Sequence, residues 1–149
     1  MARIEFDAET RATPEQVVAA LTDFTERRPD IWQGLSRDAY QVYSIGENTA
    51  EVREGNVRPR IWARERYDWS PTTVRWEVLE SNFCEPGSFV EVQIAPREGN
   101  GSQIHGVWSR TPTSFKWQLM LSLIVLSRGA PVKSSLAKGL DRYLSLTGG

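Results

Sequence analysis

Along residues 3–10, Ile4, Phe6 and Ala8 share one parity, while Arg3, Glu5, Asp7 and Glu9 share the other. A period of two predicts a half-buried strand. The run Thr13-Pro14-Glu15-Gln16 then reads as a helix start. Thr13 is placed to cap, Pro14 suits the first helical position, and Gln16 can close a capping box. Val17, Val18, Ala20 and Leu21 supply the apolar stripe of a short helix. A second short helical piece is expected over 24–35, broken by Pro29 and ended by Gly34. Strand patterns follow at 40–45, 50–54, 60–69, 73–80, 88–95 and 103–110. Turn signals at Gly46-Glu47-Asn48, at Ser70-Pro71 and across 96–101 separate several of them. Short connections between successive strands predict an antiparallel meander.

The period changes in the last third of the chain. Residues 115–126 are apolar on nearly every side, a pattern that predicts a helix buried on several sides rather than lying on a surface. Gly129-Ala130-Pro131 should kink or interrupt it without reversing the chain, because Pro131 lacks an N–H and its ring crowds the preceding turn. Leu136, Leu140, Tyr143 and Leu144 restore helical spacing to about residue 146. The expected architecture is α+β: a curved antiparallel sheet of about seven strands around a long C-terminal helix. Two short helices follow the first strand, and residues 1–149 form one domain with no internal repeat or linker.

Composition adds three points. The formal net charge is −1, so no global field directs the chain to nucleic acid or to an anionic membrane. Cys84 is the only cysteine, which excludes an internal disulfide and a cysteine-based metal site. The six tryptophans suit either a large core or an aromatic-lined cavity. The charge-alternating N-terminus lacks a signal-peptide core, and the longest apolar stretch is about half of the roughly 20 residues a membrane span needs. The cytoplasm is the expected compartment.

The element order, with the segment from Ala12 through Thr13-Pro14-Glu15-Gln16-Val17-Val18 to Leu21-Thr22-Asp23-Phe24, resembles the SRPBCC superfamily. This is the helix-grip fold of START, Bet v 1-like and polyketide cyclase/dehydrase-like proteins. Trp32 stands where the second helix of that family carries a tryptophan, while Val18 replaces the usual aromatic residue of the first helix. The resemblance spans the chain but rests on scaffold residues. It implies a cavity between sheet and C-terminal helix and leaves the ligand unnamed.

Strand parity gives the expected wall of that cavity. Ala63, Glu65 and Tyr67 share the apolar parity of their strand, while Arg58, Arg60, Trp62, Arg64 and Arg66 take the other. Trp76, Val92, Gly106 and Trp108 complete the wall, Leu119, Leu123 and Leu126 close it, and Trp32 is expected at its mouth. Gly106, inward and side-chain-free, should leave space beneath Leu119 and Leu123. The alternative is that all of these groups fill a solid core.

Little chemistry accompanies the wall. Glu65 is the one acidic residue on an inward parity of its strand, where burial would raise its pKa as in a general acid or base; a wet or ion-paired carboxylate is the plainer reading. His105, the only histidine, falls on the outward parity. No transition-metal cluster, phosphate loop or nucleophile elbow is visible. The arginine row around Trp62 could stack bases and neutralise phosphates, but neighbouring Glu51, Glu77 and Glu91 favour a self-neutralised, solvated face. The expected function is binding or transport of an apolar or aromatic small molecule, such as a lipid, polyketide or isoprenoid. No catalytic residue, cofactor, nucleic-acid partner or membrane span is expected, and the oligomeric state stays open. The alternative is an aromatase/cyclase-like enzyme using Glu65, Tyr67 or Arg110.

Overall fold

The computed structural model describes residues 2–58 and 60–148. Strand β1 (Ala2–Thr10) leads to α1 (Pro14–Leu21), the single turn α2 (Arg28–Ile31) and a 3-10 turn (Arg37–Ala39). Six strands follow: β2 (Gln41–Ile45), β3 (Thr49–Val57), β4 (Arg60–Trp69), β5 (Thr73–Ser81), β6 (Phe89–Pro96) and β7 (Ser102–Arg110). Helices α3 (Phe115–Leu126) and α4 (Ala130–Thr147) end the chain. The expected capping box forms at α1: Thr13 Oγ1 accepts from the Gln16 N–H at 3.2 Å, and Gln16 Oε1 accepts from the Thr13 N–H at 2.9 Å.

All seven strands join one antiparallel sheet in the order β1-β7-β6-β5-β4-β3-β2. The meander accounts for β2 to β7, and β1 returns to pair with β7 in unbroken register from Ala2↔Arg110 to Thr10↔Ser102. Alternation in β1 is complete, with Ile4, Phe6 and Ala8 buried and the charged residues between them exposed. The inward parity of the sheet meets Val17, Ala20 and Leu21 of α1 and Leu136, Leu140 and Leu144 of α4 in the main core.

The C-terminal segment breaks where expected, between α3 and α4, but for a different reason. A bend of 75° separates α3 from α4, so the break is sharp but does not reverse the chain. Its cause lies before Pro131, which stands in the first turn of α4 and fits there without cost. Helix α3 ends in a Schellman motif: the Arg128 N–H donates to the Val125 carbonyl at 3.0 Å, and the Gly129 N–H donates to Ile124 at 3.1 Å. Arg128 (φ 57°) and Gly129 (φ 75°) are both left-handed, and two such residues in succession redirect the chain. A side chain at Gly129 would also strike Ile4.

The bend leaves α3 far from buried all round. Only Leu121 is fully buried there, while Phe115, Leu119, Met120, Leu123 and Leu126 are 38% to 79% exposed. Leu119 and Leu123 therefore do not close an interior, contrary to expectation, while Leu126, largely exposed, also borders a cleft against the start of β1. An apolar pattern without a polar face cannot say which side a helix buries. No single described helix is long and apolar enough to cross a membrane.

Candidate functional site

The inward face of the sheet carries more charge than its parity pattern suggested. Glu54 follows Ala50 and Val52 on the inward parity of β3, and Glu65 and Tyr67 do so on β4. Arg28 reaches the same interior from α2, and Arg110 from the end of β7. These five side chains divide into two groups.

Arg28 anchors the first group, and its hydrogen bonds reach an acceptor from every nitrogen. Its Nε donates to Glu54 Oε2 at 3.0 Å, and its Nη2 donates to the Tyr67 hydroxyl at 3.0 Å. Its Nη1 donates to the carbonyls of Leu21 (2.9 Å) and Asp23 (3.1 Å), at the last residue of α1 and just beyond it. The Tyr67 hydroxyl in turn donates to Glu54 Oε1. The guanidinium also lies over the Phe24 ring, 4.5 Å from its centroid. Phe24 meets Tyr67 edge-on at 4.9 Å, and Tyr67 stacks on Trp76 at 5.2 Å. Burial alone would lower the Arg28 pKa, but the Glu54 carboxylate and Tyr67 outweigh it and raise the value above the ordinary one. Burial, then the Glu54 charge, pushes the Tyr67 phenol well above its ordinary value, so it stays protonated.

Glu65 and Arg110 form the second group, and theirs are not complete. Glu65 Oε2 and Arg110 Nη1 lie 3.7 Å apart, with side chains 6% and 11% exposed. That distance permits attraction but exceeds a good hydrogen bond. Among the described residues, three buried side-chain atoms have no hydrogen-bond partner: Arg64 Nε and these two. Burial pushes the Glu65 pKa up to about 7; Arg110 pulls against it, and the Glu54 charge adds to it. The Arg110 guanidinium sits 5.8 Å from the Trp108 ring and 6.0 Å from Phe83. The β4–β5 pairing shifts register between Arg64 and Glu65, a bulge that re-aims side chains beside the pair. A cleft of about 320 Å³ opens between the start of β1 and α3, lined by Ala2, Pro112, Leu121 and Val125. Ala2 stands opposite Arg110 in register, so the cleft lies at the Arg110 end of the sheet.

The residues expected to line a cavity are thus distributed among several environments. Glu65, Tyr67, Trp76 and Trp108 belong to the polar and aromatic interior just described. Val92 is buried in the main core, and Ala63 packs with Val78 and Cys84 in a smaller cluster at its side. Gly106 does not face open space: Phe6 pairs with it across the β1–β7 ladder, and a Cβ there would come within 2.2 Å of the Phe6 ring. The glycine makes room for an aromatic neighbour from the adjacent strand, which residue spacing within β7 could not reveal. Trp32 packs among helices rather than on the sheet face. It lies between α1 and α4, with its indole N–H 3.4 Å from the Ala20 carbonyl and its ring against Gly139.

Arg28 and Glu54 were missed. Continuing the Ala50, Val52 alternation by one step would have found Glu54. Nothing local marks Arg28, an arginine before a proline in a one-turn helix. The outward face agrees with its sequence reading: Arg64 pairs with Glu51 and Arg66 with Asp68, and His105 is exposed between Asp7 and Glu5. Among the described residues, no cluster of histidine, cysteine and acidic groups could hold a metal ion.

No family model matches the sequence, and no curated protein matches it. Solved structures do match. The protein TTHA0849 from Thermus thermophilus superposes with a TM-score of 0.76 at 17% identity, covering 97% of this chain and 99% of that one. The Zhui aromatase/cyclase from Streptomyces sp. R1128 gives 0.77 at 14% identity, covering 99% and 98%. A START superfamily protein from Mycobacterium smegmatis gives 0.70 at 8% identity, covering 94% and 97%. Identities this low speak for architecture alone, and on that architecture the chain has the helix-grip fold that the START and aromatase/cyclase structures share.

Proposed function

We propose that the protein binds an apolar or aromatic small molecule between the sheet and the C-terminal helices, with Glu65 and Arg110 holding a carbonyl or hydroxyl group of that ligand. The observation that carries this reading is the pair of buried, unpartnered atoms, Glu65 Oε2 and Arg110 Nη1. Leaving a buried donor or acceptor unmade costs about 1–3 kcal/mol, more when charged, so such a pair in a native interior calls for an explanation. A ligand oxygen could accept from Arg110 and, from a hydroxyl, donate to Glu65. Trp76, Trp108 and Tyr67 supply flat apolar surface nearby, and the cleft beside Ala2 offers a route inward.

A second reading, an aromatase/cyclase-like enzyme, is favoured by the setting of Glu65 beside Arg110: burial pushes its pKa up to about 7, where a carboxyl group can both give and take protons. Tyr67 fits that role less well, because its proton is held by Glu54 and its pKa is raised. The Zhui protein bears the name aromatase/cyclase, which makes cyclisation of a polyketide-like chain the activity to try.

The test begins with native mass spectrometry of the protein purified from its source, where a copurifying apolar molecule is expected. Displacement of 1-anilinonaphthalene-8-sulfonate then compares wild type with Arg110→Met. Loss of one charged hydrogen bond should weaken the copurified molecule by roughly ten-fold or more. Equal affinity in the two proteins would put the ligand elsewhere.

A further inference from the structure

The near-zero net charge conceals a segregation along the chain. Between Glu98 and Asp141 no acidic residue occurs, while Arg110, Lys116, Arg128, Lys133 and Lys138 do. This stretch contains α3, whose outer side presents Phe115, Leu119, Met120, Leu123 and Leu126 to solvent. At 100° per residue these five fall within an arc of about 140°, with the exposed Lys116 among them and the buried Leu121 opposite. Lys116 and Arg128 stand at the two ends of the stripe, and Lys133 follows on α4, all exposed. Among the described residues none of these three forms an ion pair; Lys116 rests only against the Trp117 ring. Five large apolar side chains exposed together on one helix mark an interaction surface.

We infer that α3 is a membrane-docking helix, which lays its apolar stripe into the interface of an anionic lipid bilayer while Lys116, Arg128 and Lys133 meet the headgroups. Charge decides against self-association through the same face. A two-fold contact would set Lys116 and Arg128 of one copy against the same cations of the other, with no acid on α3 itself to offset them. The shape also favours lipid. A stripe on the outer side of one helix needs a matching groove on a protein partner, whereas a fluid interface accepts it without one. Twelve residues give about 18 Å of helix, too short to span the hydrocarbon but sufficient to lie in the interface plane. The left-handed pair Arg128 and Gly129 sets α3 at its angle to α4, with Leu121 held in the core and the stripe turned to solvent. Docking through α3 does not depend on which molecule the interior holds.

Flotation with two kinds of vesicle tests it: phosphatidylcholine alone, and phosphatidylcholine with 30% phosphatidylglycerol at about 0.1 M salt. The wild-type protein is expected to float with the anionic vesicles and to remain behind with the neutral ones. Leu119→Glu/Leu123→Glu should lower partitioning by about ten-fold or more, because both the apolar stripe and its charge are spoiled. Both positions are exposed, so circular dichroism and the melting temperature should stay at wild-type values. Lys116→Glu/Arg128→Glu should reduce binding to anionic vesicles while its residual binding loses salt dependence. Wild type that floats with neither vesicle overturns the inference, as does a Leu119→Glu/Leu123→Glu protein that floats unchanged. Light scattering that finds a wild-type dimer dissolved by the same double substitution, with no flotation, would assign the stripe to a second copy instead.

Discussion

Arg28 and Arg110 are both guanidinium groups buried against aromatic rings, yet one has an acceptor for every nitrogen and the other does not. Arg28 satisfies two backbone carbonyls, a carboxylate and a phenol, tying α1, α2, β3 and β4 together. Arg110 faces Glu65 at 3.7 Å with its Nη1 unpaired. A saturated buried network specifies a fold, because removing any member strands the others. An unsaturated one has capacity left for a molecule from outside. The contrast places Arg28, Glu54 and Tyr67 in the architecture, and it is the ground on which Glu65 and Arg110 are proposed to meet a ligand.

The strongest way to break this division is Arg28→Met. It leaves Glu54 and Tyr67 facing an apolar side chain, and should cost about 3–5 kcal/mol of unfolding free energy in urea. A loss below about 1 kcal/mol would mean that the network is not structural.

Next in size is the pH dependence carried by Glu65. Its folded value near 7 exceeds the ordinary 4.5, so between these values the folded protein holds a proton that the unfolded chain releases. Stability from this group is present below pH 4.5 and declines as pH rises through 7. The full change amounts to about 3 kcal/mol. Glu65→Gln, which cannot ionise, should flatten the profile between pH 5 and 8. An unchanged profile in the variant would show that Glu65 is not the titrating group.

Gly106→Leu sharpens the comparison by probing a part of the interior that holds neither charge nor space. The Phe6 ring occupies the position of the added side chain, so strain of about 1–3 kcal/mol is expected in thermal unfolding. A Phe6→Ala/Gly106→Leu double variant should recover part of it. If the single change leaves the melting temperature intact, Phe6 yields more readily than the register implies.

The smallest effect on stability belongs to Arg110→Met. At pH 6, where Glu65 is largely neutral, replacement of an incompletely bonded cation by an apolar group should shift stability by less than about 1 kcal/mol. Its consequence should appear instead in ligand affinity. A destabilisation as large as that of Arg28→Met would erase the distinction between the two arginines.

Much of the frame is legible in the residues themselves. Alternation in β1, the Thr13–Gln16 capping box and the turn residues between strands are local rules, satisfied within a few positions. Their order led to the helix-grip arrangement. The inward Glu65 was legible for the same reason, since parity on β4 is a local property. Its meaning was not, because a carboxylate's pKa depends on Arg110, Glu54 and Arg28, which reach it from elements distant in sequence.

What the tertiary structure alone decided concerns distances between elements. Gly106 is filled by a residue 100 positions earlier, and Trp32 seats on Gly139 of the last helix. Arg28 is buried because four acceptors from separate elements converge on it. Helix α3 makes the same point most plainly. Its composition allowed burial on any side, and the angle at Arg128 and Gly129 left most of its apolar surface in solvent. By itself the sequence determined which residues could form strands and helices, because backbone geometry and period act over short range. Which faces would meet, and which charges would be left without partners, depended on the packing of elements that share no local signal.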